Sequence, residues 1–486
     1  MKAFFALIIV ACLSIPGFSQ EQDLPTDFLN KTFYKDRRDK LREKLPANSV
    51  AVFFANPVRN RANDVDFVYH QDPNFYYFTG YKEPDAVLLV FKDMQTAANS
   101  TQYNEIIFVQ PRDERAEMWT GRRLGATGVK DKLGFDLSFE NKEFKKYNVD
   151  FSKFASIFFY DFKNDVRDTY DSSDLYDLIA QFKVKVKYPE KNVTTLAVEP
   201  QKNNLDMKGL GRIMSGLRGI KTKEEMDMIR KAVRISCAAQ VEVMKAIKPG
   251  MSEREIDGIH QYVFKKYQAE DMGYPSIVGA GHNGCILHYE ENYKPSISNK
   301  ELILMDLGAE YHGYTADITR TIPVNGKFSP EQKLIYELVL KAQEEGMKVC
   351  KSGLPFKNID KAGREAINKG LKELGIIQNE TDRHMYYPHG CCHHIGLDVH
   401  DRGTNEDLQE GMVITIEPGI YIPENSPCDK KWWGIGVRIE DDYLVTKEGY
   451  EHLSVLAPRT VKDIEAMIKL PSALDDFVLP DLDKKN

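Results

Sequence analysis

Asp306 and Asp317 lie eleven residues apart within Glu301 to Pro323, ELILMDLGAEYHGYTADITRTIP, on what read as the two arms of a hairpin. The first arm, Leu302 to Leu307, is almost wholly apolar, so Asp306 closes a strand expected to be buried. A carboxylate there must be paired, neutralised or bound to a metal, because an isolated buried charge costs too much to survive. The second arm, Thr315 to Ile322, sets Thr, Asp, Thr and Thr against Ala, Ile, Arg and Ile, which puts Asp317 among polar side chains on one face. From this stretch alone two readings stand open, a metal site or ordinary solvated hairpin acids.

Further along, HGCCHHIGLDVHD from His389 to Asp401 supplies His393 and His400. An apolar strand from Met412 ends in Glu417, within EPGIY, and GIGVRIEDD from Gly434 holds Arg438 and Glu440. Those last two stand two apart, so a strand aims both the same way while Val437 and Ile439 pack behind. Asp306, Asp317, His393, Glu417 and Glu440 thus form a set of possible ligands, four carboxylates and one imidazole. Singly, each has a plainer explanation: a core histidine, a turn acid, an ion pair from Glu440 to Arg438.

These groups need a frame. Thr222 and Glu225 make a capping-box pattern that opens a long helix to Ile247, which puts a domain boundary near Arg218 to Thr222. Beyond it the chain echoes itself: Lys248, Gly250, Ile256 and Asp257 in KPGMSEREID recur 103 residues later as Lys351, Gly353, Ile359 and Asp360 in KSGLPFKNID. Glycine ends helices, which explains part of the match, but the shared offset points to two related halves. Before the boundary, a helix-like segment from Phe28 to Leu45 is followed by strand-like runs at Val50 to Ala55, Ala86 to Phe91, Glu105 to Gln110, Ala155 to Tyr160 and Thr194 to Val198. Helical patterns at Ser172 to Phe182 and Asn204 to Leu217 intervene, so this part reads as a small α/β domain. The expected division is residues 1–19, 20–217, 218–470 and a tail 471–486.

The composition, 42% apolar and 29% charged over 486 residues, fits a globular chain of two domains. A formal charge of −7 gives no reason to expect nucleic acid as a partner. Met1 to Gln20 has one lysine, an apolar run from Ala3 to Leu13 and small residues at Gly17 and Ser19, the form of a secretory leader cut near Ser19. Spanning a bilayer takes about 20 apolar residues, so this run is too short, and no other segment is apolar enough. Export as a soluble periplasmic or secreted protein is expected, with Cys12 weakly resembling a lipoprotein signal. Six cysteines remain after the leader, with no CxxC pair, so neither a disulfide scaffold nor a thiolate zinc site is expected. Cys391 and Cys392 could join only through a strained eight-membered ring, and both are expected to be packed thiols.

The order D…D…H…E…E, with DxGAEYxGYTADITRT, HGxxHxxGLDVHD, EPGxY and RIEDD around it, resembles the proline-specific metallopeptidases of the pita-bread fold. The Xaa-Pro aminopeptidases are most similar and the prolidases next. The likeness runs from about Asp64 to Ala457 and takes in the amino-terminal FYYFTGYxEPDAV and WxGRRLG stretches. It implies an α/β amino-terminal domain followed by an α+β pita-bread catalytic domain. It also implies two divalent ions, Asp317 and Glu440 bridging both, Asp306 holding one, His393 and Glu417 the other. Four carboxylates carry a charge that two such ions cancel, and oxygen-rich ligation favours manganese first, with cobalt or zinc able to substitute.

The implied reaction is attack of a metal-bridged hydroxide on the carbonyl before proline, in peptides with a free amino terminus, Glu417 moving the proton and His400 aiding the oxyanion. By the same likeness His288, His389, His400, Arg438 and Tyr421 line the site, and Asp64 and Trp119 reach it from the amino-terminal domain or a neighbouring subunit of a homodimer or homotetramer. His282, His312, His384 and His394 match nothing and read as surface or packing residues. Cys391, Cys392 and His394 depart from the family, where small or aromatic residues are usual. Two alternatives stand: prolidase, which would share the metal site, and a non-catalytic binding protein of the same fold, which would have lost ligands.

Overall fold

The computed structural model describes residues 25–97, 99–162, 173–189 and 204–480. The expected leader with Cys12, the run Thr194 to Val198, and the end of the tail lie outside those residues.

The amino-terminal part is built on a six-stranded sheet in the order Ser138–Glu140, Gln102–Val109, Val87–Thr96, Ser49–Phe54, Ser156–Phe158 and Leu205–Asp206. Its central pairs are antiparallel and its edges parallel, and the apolar runs SVAVF and VLLVF are buried on both faces. Helix boundaries differ from the sequence pattern where a side chain captures a backbone amide. The helix expected from Phe28 runs Lys31–Lys44 because Asn30 caps the amide of Phe33. The one expected from Ser172 runs Leu175–Lys185 behind its cap Asp174. The one expected from Asn204 starts at Gly209, since Leu205–Asp206 joins the sheet edge and the Asp206 carboxylate accepts from the amides of Lys208 and Gly209.

In the carboxy-terminal part the helix Lys223–Ala246 opens on the expected Thr222 and Glu225 capping box. The internal echo has a structural counterpart. Helix Lys223–Ala246 turns at Gly250 into Glu253–Lys266, and Pro330–Lys348 turns at Gly353 into Lys357–Glu373. Gly250 and Gly353 have φ of +97° and +85°, a region that favours glycine. Small antiparallel sheets lie inside these helices: Ile277–Ala280, Leu302–Leu307 and Ile318–Pro323 in the first half, Val413–Ile416 with Asp441–Val445, and Gly419–Ile422 with Ile435–Arg438, in the second.

The two aspartate arms pair as a ladder, Asp306 opposite Thr319, but a second small hairpin, Ala309–Tyr311 with Tyr314–Thr315, is inserted between them. It turns at His312 and Gly313, both with positive φ. Both aspartate arms are wholly buried, so solvated hairpin acids are ruled out. The period-2 pattern of the second arm divides a polar interior from an apolar one rather than water from core.

Arg218 ties the two parts, bonding Asn74 at 2.9 Å on one side and Asp398 at 2.9 Å on the other. Within the amino-terminal part the strongest buried polar device is Glu105, gripped at two points by Arg38, both at 3.0 Å, and by Arg42 at 2.9 Å. Burial works against its charge, but the two guanidinium groups outweigh it and hold the carboxyl below its usual range. Glu105→Ala would leave two buried arginines without their partner. It is expected to cost about 3–5 kcal/mol, read as a loss of denaturation midpoint at neutral pH.

Candidate metal centre

Five separate segments deliver the five ligand-type residues to one cavity of about 430 Å³. Asp306 closes Leu302–Leu307, Asp317 precedes Ile318–Pro323, Glu417 follows Val413–Ile416, and Glu440 sits between Ile435–Arg438 and Asp441–Val445. His393 enters from an irregular stretch, its Nδ1 directed at the carbonyl of His394 at 3.0 Å. That contact turns Nε2 to the acids: 3.5 Å from Asp317, 3.5 Å from Glu417 and 3.7 Å from Glu440.

The electrostatics are those of a crowd of carboxylates out of water. Burial, with Glu440 and Asp306 nearby, pushes Asp317 well above its ordinary pKa. Burial and Glu440 do the same to Glu417. Burial opposes the charge on His393, but the carboxylates of Asp317 and Glu440 overcome it and raise its pKa. Asp306 alone goes the other way: burial disfavours its charge, yet Arg438, with Nη2 at 2.5 Å, holds the carboxyl below its usual range.

The donor set fits divalent metal. Asp317, His393 and Glu440 each offer a ligand atom, and these lie within 4.8 Å of one another. Glu440 Oε1 is buried with no hydrogen-bond partner among the described residues, although an unpaired carboxylate oxygen is costly. The Tyr274 hydroxyl stands 2.7 Å from Asp306 and 2.6 Å from Asp317. A phenol has one proton for these two acceptors, and Asp317, unlike Asp306, has no guanidinium beside it, so a cation would supply counter-charge that the phenol cannot.

The structure also reassigns several expected partners. Arg438 pairs with Asp306 and not with Glu440, while Glu440 accepts from Thr319 Oγ1 at 2.7 Å. Arg438 further donates to Tyr421 at 2.8 Å and to Thr319 at 3.2 Å, so the whole guanidinium is spent on protein atoms. The Tyr421 hydroxyl lies between Arg438 and His389 Nε2, at 2.8 Å from each. Both therefore orient neighbours, Tyr421 from outside the cavity, while Arg438 lines it together with His288, His389 and His400. His400 stands edge-on to His393, ring centres 4.5 Å apart. Burial depresses His389 to about 4, with Arg438 adding to it, and burial with His393 depresses His400, so both imidazoles are neutral at pH 7. A second cavity, about 640 Å³, lies across Leu287 and Tyr421 and holds none of the five residues.

Asp64 and Trp119 are not brought to the cavity by their own chain. Asp64 is exposed at the turn of the hairpin Asn60–Ala62 with Val65–Asp66, and Trp119 is 84% exposed on the helix Glu114–Thr120. His312 is neither surface nor plain packing: it is buried, with Nε2 2.8 Å from Asp27 and Nδ1 2.9 Å from Glu270. His394 packs on Phe356, His384 contacts Asn368, and His282 is exposed, as expected. Cys391 and Cys392 are free, the first buried and the second lining the cavity. Burial raises both thiols, Cys391 to about 12, which makes them poor nucleophiles. Sequence reasoning missed Tyr274. It belongs to no ligand pattern, and only the pairing of Ile277 with Asp306 carries it to the aspartates.

Known proteins agree with this geometry. The model of Metallopeptidase family M24 matches residues 227–447, and that of the aminopeptidase P N-terminal domain matches 34–156. The Xaa-Pro aminopeptidase of Escherichia coli is 33% identical over 452 residues, covering 90% of this chain and 98% of that one. Human Xaa-Pro aminopeptidase 3 is 31% identical over 458 residues, covering 90% and 86%. Among solved structures, aminopeptidase P from Escherichia coli with the inhibitor Pro-Leu superposes with a TM-score of 0.77 at 30% identity over 91% of this chain and 98% of that one. Aminopeptidase PepP from Pseudomonas aeruginosa gives 0.78 at 33% identity, with the same coverage of each chain. The expected fold is thereby confirmed, an amino-terminal domain before a pita-bread catalytic domain. From its two halves of helices and small sheets, its gathered acids and these relatives, the chain belongs to the Xaa-Pro aminopeptidases of metallopeptidase family M24.

Proposed function

We propose that this enzyme removes the amino-terminal residue from peptides of three or more residues with proline second, using two divalent ions held by Asp306, Asp317, His393, Glu417 and Glu440. The observation that carries the reading is the convergence of those five groups, three of them with ligand atoms within 4.8 Å of each other. Bound there, the ions would supply Lewis acidity and lower the pKa of water from 15.7 towards about 7.

The chain's own residues supply the rest. Glu417, whose carboxyl is held protonated more readily than usual, is placed to accept a proton and return it to the leaving proline nitrogen, which has no hydrogen before cleavage. His288 and His389, which line the cavity, would face the proline. Neutral His400 supplies an N–H to the developing oxyanion. Tyr421 fixes His389, and Arg438 fixes Asp306. The mainly oxygen donor set favours manganese. The lysine, apolar run and small residues of Met1 to Gln20 support export. The exposure of Trp119 and Asp64 supports delivery of these residues to the cavity by a second copy in a dimer or tetramer. A monomeric species by light scattering would remove that part of the reading.

The substrate reading is tested with Xaa-Pro-Xaa tripeptides, their amino-acetylated forms and Xaa-Pro dipeptides. Free tripeptides are expected to be cut and acetylated ones left intact, because the amino group must be held for the carbonyl to be placed. Cleavage confined to dipeptides would make the enzyme a prolidase. Glu417→Gln is expected to lower kcat by at least about a hundredfold, the usual share of a general base, and near-parental turnover would remove Glu417 from proton transfer.

Metal and proton should compete. Asp317, Glu417 and His393 have raised pKa values without metal, so each stabilises the fold at low pH and loses that contribution as pH rises through its raised value. Asp306, lowered by Arg438, acts oppositely and loses its contribution only at acid pH. Chelated enzyme is therefore expected to melt at lower temperature as pH rises above the ordinary carboxylate range, and metal should abolish the trend. Calorimetry in buffers of different ionisation enthalpy should show proton release on metal binding; absence of release would contradict the ligand set.

A further inference from the structure

The two halves of the catalytic part share more than their glycine turns. Gln240, in the helix Lys223–Ala246, and Gln343, in the helix Pro330–Lys348, stand 103 residues apart, the same offset as Gly250 and Gly353. Both amides are fully buried. Gln240 Nε2 donates to the carbonyls of Met305 at 3.1 Å and Ile318 at 2.9 Å, the residues just before Asp306 and just after Asp317. Gln343 Nε2 lies 3.1 Å from the carbonyl of Ile416, 3.4 Å from that of Ile439 and 3.0 Å from Asp441 Oδ2. Ile416 and Ile439 immediately precede Glu417 and Glu440.

Each amide therefore joins the two backbones that carry one half's pair of carboxylates. In the second half Ile416 pairs with Asp441 and Gly419 with Arg438, so ladders flank both glutamates but pairing is interrupted at Glu417 and Glu440 themselves, and the Gln343 amide lies across that interruption. Two carbonyl acceptors require two N–H donors, which among uncharged side chains only an Asn or Gln amide supplies from one atom. The amide orientation of Gln343 is reinforced by Arg459 Nη1, 2.9 Å from its oxygen.

We infer that Gln240 and Gln343 are positioning residues, a pair of amide clamps related by the internal repeat that set the spacing of Asp306 with Asp317 and of Glu417 with Glu440, and through it the affinity for divalent metal. This rests on the reading of those carboxylates as ligands. Loss of a clamp takes an N–H donor from buried carbonyls beside the ligands and loosens the backbone between the ladders; supporting contacts of metal ligands typically govern affinity by about 10–100-fold.

The test uses full-length Gln240→Met, Gln343→Met and, as a control, Leu371→Ala, a fully buried change in Lys357–Glu373, a helix that carries none of the five residues. Near-UV circular dichroism establishes that each is folded, and manganese binding to the metal-free proteins is measured by titration calorimetry. Each Met variant is expected to bind manganese at least about tenfold more weakly than the parent, while the control melts earlier but keeps parental affinity. Met variants with parental affinity, or a control that loses as much, would overturn the clamps. If a Met variant fails to fold, Gln→Asn at that position keeps the amide but shortens its reach; the same weakening is expected, and parental affinity would count against the proposal. A parent that binds no manganese, cobalt or zinc would instead overturn the ligand reading and the clamps with it, so the two failures are distinguishable.

Discussion

The constraint on which the rest depends is the crowding of four largely buried carboxylates around one cavity. Such groups repel, and the low-dielectric surroundings make each uncompensated charge expensive. Within the chain, Arg438 compensates Asp306 and His393 partly compensates three others, yet Asp317 and Glu417 remain pushed toward their neutral forms and one oxygen of Glu440 has no hydrogen bond among the described residues. The protein's own cations thus balance only part of the charge. That imbalance separates a metal site from a structural ion-pair network, in which donors and acceptors close on each other.

Holding such a cluster together takes a frame that does not yield to its repulsion. The carboxylates hang from the ends of short buried strands backed by the helices Lys223–Ala246 and Pro330–Lys348, with ladders, a buried arginine and two amides fixing the strand ends. Asp306 stands within its ladder, opposite Thr319, whereas Asp317, Glu417 and Glu440 lie where regular pairing stops. The amino-terminal domain is held against this frame through Arg218 but sends neither Asp64 nor Trp119 to the cavity of its own chain.

Much of this was legible in the chain. The period-2 and period-3.6 patterns located most strands and helices, the capping box located the start of Lys223–Ala246, and the 103-residue echo located the two halves. Errors collected where one side chain overrode propensity, as when Asp206 took two amides and delayed a helix to Gly209. They also collected where partner choice depended on distance, as for Arg438, whose nearness to Glu440 in sequence said nothing about its ion pair with Asp306.

Sequence by itself determined the residue types, their order and their local geometry: which acids end apolar strands, which glycines turn between helices, and that five ligand-type groups exist in the spacing of a known family. Those properties are set by neighbours within a few residues. Only the tertiary structure decided that Tyr274 meets both aspartates, that Arg438 and Tyr421 are engaged by their neighbours, that His312 is buried between two acids, and that Gln240 and Gln343 occupy equivalent places. Each of these depends on contacts between segments far apart in the chain, and a contact of that kind leaves no periodicity for local patterning to reveal.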